Sequence, residues 1–113
     1  MIEIWHNPRC SKSRQTLALL EENGIEPKVR LYLNDTPSAE EIRSVLTLLS
    51  AKPADIMRTK DALFKELELK VDASDAILID AMTKHAALIE RPIVIVNNKA
   101  AMGRPPESVL DIL

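Results

Sequence analysis

Cys10 is the one side chain of this 113-residue sequence suited to soft nucleophilic chemistry. It stands in the run Trp5-His6-Asn7-Pro8-Arg9-Cys10-Ser11-Lys12-Ser13-Arg14. A free thiol of pKa about 8.5 is only about 3% thiolate at pH 7. Lowering that value by about two units takes roughly 2.7 kcal/mol of preferential stabilisation of the anion. Local sequence supplies terms of that size. The alternating run Ile2-Glu3-Ile4-Trp5 leads in as a strand, and Leu17-Ala18-Leu19-Leu20 leads out as a helix. A thiol at the junction meets the free N–H groups and positive dipole end of the helix, worth up to ~2 kcal/mol in a partly buried site. His6, Arg9, Lys12 and Arg14 all lie within four residues of it, so a nearby cation can supply the rest. A lone cysteine is often a small buried hydrophobe, a reading this context argues against, whereas Asn7 and Ser13 serve equally as turn and cap residues.

Spacing removes two related chemistries. A dithiol redox pair needs a second cysteine at position 13, where Ser13 stands; the motif is a monothiol Cys-x-x-Ser. A cysteine-phosphatase loop needs arginine six residues beyond its nucleophile, and that position is Thr16. Arginine usage adds a second pattern. Arg9 and Arg14 flank the thiol, Arg58 follows a short helical turn, Arg91 precedes Pro92, and Arg104 precedes Pro105. An arginine ahead of proline has a restricted, extended backbone, and guanidinium suits oxyanions by its bidentate geometry. Pro92 is also a candidate for a cis bond. Each arginine alone reads equally well as a surface charge.

The elements that must position these residues are legible by period and punctuation. The first helix is expected from Ser11 to about Asn23, with Gly24 as a left-handed terminator and Pro27 preventing continuation. Lys28 to Leu33 alternates as a second strand, with Val29, Leu31 and Leu33 expected on one face. After the turn Asn34-Asp35-Thr36-Pro37, Ser38 and Glu41 form a capping box ahead of the stripe Ile42, Val45, Leu46, Leu49. Pro53 to about Ile89 reads as short helical pieces. These are a turn at Pro53–Met57, a helix from Asp61 to Leu69 with Leu63, Phe64 and Leu67 at helical spacing, and a helix capped by Ser74 with Ile77, Leu78, Ala81 and Met82 inward. Ile93–Val96 is a β-branched run expected of a buried central strand. Asn97-Asn98 turns it into Lys99–Met102, Gly103-Arg104-Pro105-Pro106 breaks that strand, and Glu107 to Leu113 closes the chain as a helix. The order βαβα, helical block, ββα implies an α/β fold. It fits a thioredoxin-like (glutaredoxin-like) mixed sheet with an inserted all-helical segment. One domain, 1–113, is expected, with a core of about 1–36 and 88–113 and a helical segment of about 37–87.

Composition bounds the partners. A net charge of −2 and pI of about 5.7 offer no global basic field for nucleic acid. With 46% apolar residues there is still no run near the ~18 that a membrane span requires, and no secretory pattern opens the chain. A single cysteine fits a reducing compartment, so a cytoplasmic location is expected. Two histidines and one cysteine at wide spacing show no metal-ligand pattern. His85 suits a helix C-terminus, and Trp5 suits the core or a covering layer.

The run His6-Asn7-Pro8-Arg9-Cys10-Ser11-Lys12-Ser13-Arg14 resembles the His-Asn-Pro-x-Cys-x-x-Ser-Arg motif of the ArsC-type, glutaredoxin-dependent arsenate reductases. The resemblance continues through Tyr32-Leu33, Pro37, Met57-Arg58, Leu78-Ile79-Asp80, Ile89 to Val94, Gly103-Arg104-Pro105 and Val109 to Leu113. It implies the same thioredoxin-like fold. It further implies that Cys10 attacks arsenate or a similar oxyanion while Arg58, Arg91 and Arg104 hold the oxygens. His6 then favours the thiolate by electrostatics or hydrogen bonding, with Asn7, Ser11, Ser13 and Arg14 supporting the loop. Glutathione is the implied cosubstrate and glutaredoxin the implied partner, with no metal or tightly bound cofactor, and a monomer is expected. Arg9 and Ser11-Lys12 depart from relatives that have a small residue and Gly-Thr there. Two other readings fit the same fold. One is a glutathione-linked thiol oxidoreductase with another substrate. The other is a transcription regulator binding RNA polymerase, although its redox-sensing Cys-x-x-Cys is removed by Ser13.

Overall fold

Strand β1 (Ile2–Trp5) is paired on both sides in the sheet. It pairs in parallel with β2 (Lys28–Arg30), Ile4 opposite Val29, and antiparallel with β3 (Ile93–Val96), Ile4 opposite Val94. β3 continues as a hairpin into β4 (Lys99–Met102), with Asn97 at a φ of 52° in the turn. The order β2-β1-β3-β4 makes a mixed sheet, and the parallel pair is joined by a helical crossover, α1 (Ser11–Glu22). The computed structural model describes residues 2–90 and 92–113. They form two compact units, Met1–Asp35 with Arg91–Leu113, and Thr36–Glu90.

In the first unit Ile4, Leu20, Val94 and Val109 form a fully buried cluster, flanked by Ile2, Leu17, Leu19, Ile25, Val96, Ala101 and Ile112. This apolar seam joins β1 and β3 to α1 and to the C-terminal 3₁₀ helix Pro106–Ile112. α1 stops in a Schellman arrangement. Ile25 N–H donates to Leu20 O and Gly24 N–H to Glu21 O, with Gly24 at a φ of 74°. The architecture is α/β and thioredoxin-like, as the element order implies.

The second strand departs from expectation. It ends at Arg30, and Val29, Leu31 and Leu33 are each more than 40% exposed while Tyr32 is fully buried. β2 is only three residues long, so Leu31 and Leu33 lie beyond its pairing and strand alternation does not govern them. Asn34 and Asp35 N–H both donate to Leu31 O, closing a turn that carries Tyr32 inward. The Arg104–Pro105 peptide is cis. The expectations for Arg91 and for the Arg91–Pro92 bond lie outside the described residues.

The second unit is helical. α2 (Ala39–Leu49) opens with the reciprocal capping box, Glu41 N–H to Ser38 Oγ at 3.1 Å and Ser38 N–H to Glu41 Oε1 at 3.0 Å. Ile42, Val45 and Leu46 form its buried stripe. A 3₁₀ turn (Pro53–Ile56) precedes α3 (Ala62–Glu66), capped by Asp61, and α4 (Asp75–Lys84), capped by Ser74. α3 is shorter than its apolar pattern suggests. Glu68 takes a left-handed φ of 55°, and Leu69 N–H closes onto Phe64 O, so the helix ends without a glycine to announce it. In α4 the inward residues are Leu78, Ile79, Ala81 and Met82, whereas Ile77 is 55% exposed. Ile77 and Ile79 flank Leu78 at about 100° on either side, and period alone does not decide which flank is covered. Among the described residues no helix is long and apolar enough to cross a membrane.

Gly103 marks a close approach of backbone to side chains in the first unit. Its N–H donates to Pro92 O at 2.9 Å, and an added Cβ would overlap Thr16 Oγ1 and sit 2.6 Å from Pro92 Cγ. Gly103→Ala is therefore expected to lower stability by about 1–3 kcal/mol, read as a fall in the urea midpoint. An unchanged midpoint contradicts the packing described.

Candidate active site

Cys10 is the N-cap residue of α1, with φ −93° and ψ 123°, and its thiol is partly exposed. Its N–H donates to Asn7 O at 3.0 Å, and its C=O accepts Arg14 N–H at 3.0 Å. The first turn of α1 holds no acidic residue, so no side chain of that turn neutralises the positive end of the helix. The group placed there is the sulfur. Asn7 shapes the loop by accepting Arg9 N–H on Oδ1 at 3.0 Å, while Arg14 Nη1 clasps the Pro8 carbonyl at 2.9 Å. His6 N–H donates to Arg30 O at 2.8 Å, which extends the β1–β2 pairing into the loop.

Ser13, one turn into α1, is fully buried and organises the loop from beneath. Its Oγ accepts Asn7 N–H at 3.0 Å and lies 2.6 Å from His6 Nδ1. The backbone amide is a donor, so the serine proton has one acceptor among these partners, His6 Nδ1. The hydrogen-bond network thus assigns a ring with Nδ1 unprotonated and its proton on Nε2. Burial, and secondarily the Arg14 guanidinium, push His6 below its ordinary 6.5. Both arguments give a neutral imidazole at pH 7. A neutral ring brings no positive charge to the loop.

Arg104 reaches the sulfur. Its Nη2 lies 3.8 Å from Cys10 Sγ, bringing a guanidinium from the far end of the chain to the helix N-terminus. A cation and a helix N-terminus together favour the charged sulfur over the neutral thiol. Arg9, Ser11, Lys12 and Arg14 lie around the loop with exposed side chains. Arg58 belongs to the second unit, where its Nη1 lies 3.7 Å from Asp61 Oδ2. Among the described residues no group of three or more His, Cys, Asp or Glu side chains converges as a metal site.

Sequence reasoning missed three neighbours of the loop. Leu31, Leu33 and Asn34 line a cleft of about 370 Å³ with His6, Asn7, Pro8 and Arg9. Alternation assigns Leu31 and Leu33 to the core, and nothing local announces their exposure. It also missed Thr16, which is buried and returns its Oγ1 to Lys12 O at 2.8 Å. A threonine bonding back one helical turn is visible in principle, but its burial against Gly103 is not.

The ArsC family model matches residues 5–112. Over 112 residues the chain is 54% identical to the arsenate reductase of Haemophilus influenzae, covering 97% of each. It is 41% identical to an arsenate reductase of Escherichia coli over 113 residues, covering 99% of this chain and 80% of that protein. Among solved structures, the arsenate reductase from Vibrio cholerae superposes with a TM-score of 0.95 at 51% identity, covering 99% of this chain and 97% of that one.

The neutral, buried His6 has a consequence for stability. Its folded value lies below 6.5, so between the two values the unfolded chain binds more protons than the folded one. The His6 contribution is whole above about pH 6.5 and is lost as pH falls through the depressed folded value, with a slope of at most about 1.4 kcal/mol per pH unit. Urea midpoints from pH 8 to pH 5 should decline more steeply for wild type than for His6→Gln. Parallel profiles contradict the assignment.

Proposed function

The chain belongs to the ArsC family, and from that premise we propose that it reduces arsenate to arsenite with Cys10 as the nucleophile. The observation that carries the reading is the Arg104 guanidinium 3.8 Å from Cys10 Sγ at the N-terminus of α1. One cation there serves two charges. It favours the thiolate before reaction and offsets the repulsion between that sulfur and an incoming oxyanion. Arg58 and Arg91 are the other oxyanion ligands that the family resemblance implies.

In this reading the Cys10 sulfur forms a bond to arsenic(V), and an oxygen of the oxyanion leaves as water after taking up protons. Glutathione then attacks the Cys10–arsenic adduct. Two electrons pass from thiol sulfur to arsenic, so arsenic(V) becomes arsenic(III) as two thiols become one disulfide. Arsenite is released, and glutaredoxin with further glutathione returns the sulfurs to thiols. The chain supplies one sulfur of the pair, consistent with Ser13 standing where a dithiol site needs its second cysteine. His6 and Ser13 act on the loop: the buried serine bonds both the ring and Asn7 N–H, holding the segment before Cys10 in one shape. No step calls for a resident metal or organic cofactor.

Arsenate-dependent NADPH oxidation, coupled through glutathione, glutaredoxin and glutathione reductase, tests the proposal directly. Wild type should turn over and Cys10→Ser should not. A wild type without activity, or a Cys10→Ser variant that keeps it, overturns the reading. Arg104→Ala should raise the arsenate KM by about 10–100-fold, the worth of a lost charge-assisted hydrogen bond, and slow iodoacetamide alkylation of Cys10 at pH 7. Arg104→Lys should recover part of both losses, because it restores charge without the planar fork.

A further inference from the structure

Arg58 is fixed through its backbone and paired through its side chain. Its N–H donates to Leu88 O at 2.7 Å, beside the Met57–Ile89 bridge, and its C=O accepts Asp61 N–H at 3.1 Å. The backbone is thus pinned on both sides. The guanidinium Nη1 lies 3.7 Å from Asp61 Oδ2, with both side chains 36% exposed. Asp61 itself has little freedom. Its Oδ1 accepts Leu63 N–H at 3.0 Å as the cap of α3, and its carbonyl accepts Phe64 N–H at 3.1 Å. One carboxylate therefore uses one oxygen to start a helix and turns the other toward Arg58. Met57, Arg58, Thr59, Lys60, Asp61 and Glu90 line a cleft of about 460 Å³, so the pair faces open space that an anion can enter.

We propose that Asp61 sets the oxyanion affinity of Arg58, by competing for the guanidinium as a built-in carboxylate that the α3 cap holds in place. The inference rests on the reading of Arg58 as an oxyanion ligand. An anion approaching Arg58 meets a fixed negative charge beside the positive one, and must share or displace it. A free carboxylate would swing away at little cost, whereas moving this one uncaps α3. The competition acts on binding and leaves the reacting sulfur untouched, so it belongs in KM and not in kcat. Because both charges are partly exposed, the effect is modest and falls with salt.

Asp61→Asn separates charge from structure, since asparagine caps a helix about as well as aspartate. The test is calorimetric titration of the intact protein with phosphate, and with arsenate in the absence of thiol reductant, at low salt and at 0.5 M NaCl. Asp61→Asn should bind both anions about three- to fivefold more tightly at low salt, the size of an exposed ion pair. Most of the gain should vanish at high salt. Arg58→Ala should bind more weakly. In the coupled assay Asp61→Asn should lower the arsenate KM with kcat unchanged. Weakened affinity with Arg58→Ala but unchanged or weaker affinity with Asp61→Asn overturns the proposal alone. An Arg58→Ala affinity equal to wild type overturns the Arg58 assignment and the proposal with it.

Discussion

The positive end of α1 is the constraint around which the first unit is arranged. A helix N-terminus exposes N–H groups that need an acceptor, and capping side chains of Ser, Thr, Asp or Asn ordinarily provide one. Here the N-cap residue is Cys10, its side chain makes no capping bond, and no acidic residue occupies the first turn. The sulfur at that helix end is instead met by the Arg104 guanidinium. The other three α-helices of the described residues use the ordinary solution, by Ser38, Asp61 and Ser74. Among the α-helices of the described residues, α1 is the one whose N-cap side chain makes no capping bond.

Holding that end in place falls to the sheet and to Ser13. β1 delivers the chain to His6, whose N–H is still bound to Arg30 O. From there the loop is fastened by the buried serine hydroxyl, by Asn7 Oδ1 and by Arg14 on the Pro8 carbonyl. These bonds run between residues no more than seven apart, so the loop is shaped largely by its own sequence. The guanidinium at the sulfur is different. Arg104 follows Gly103, which packs against Thr16 of α1 and Pro92 ahead of β3, and no larger residue fits there. Close packing between the end of β4 and α1 is what delivers the cation.

The second unit shows the same economy at Arg58. A single aspartate starts α3 and pairs with the arginine, so a helix boundary and a charge orientation share one side chain. Such sharing makes the charge difficult to move without cost to the helix, and gives a partly exposed ion pair a definite geometry.

Much of this architecture is written in local signals. Gly24, the Ser38–Glu41 box, the Ser74 cap, the Asn97 turn and the β-branched run Ile93–Val96 each concern backbone groups within a few residues, and they mark element ends wherever the chain is packed. The placement of Cys10 between strand and helix belongs to this class. What sequence could not decide is which side of an element is covered. Val29, Leu31 and Leu33 alternate correctly yet face outward, Ile77 lies on the wrong flank of α4, and α3 ends at a left-handed Glu68. Burial depends on what lies across from a residue, and that partner is distant in the chain. The Arg104–Cys10 approach, between residues 94 apart, is the clearest case. Sequence determined that a thiol would sit at a helix N-terminus among basic residues. Only tertiary packing decided that the Arg104 guanidinium reaches it, because an attraction between two charges cannot by itself place an arginine 94 residues away, whereas a close-packed glycine can.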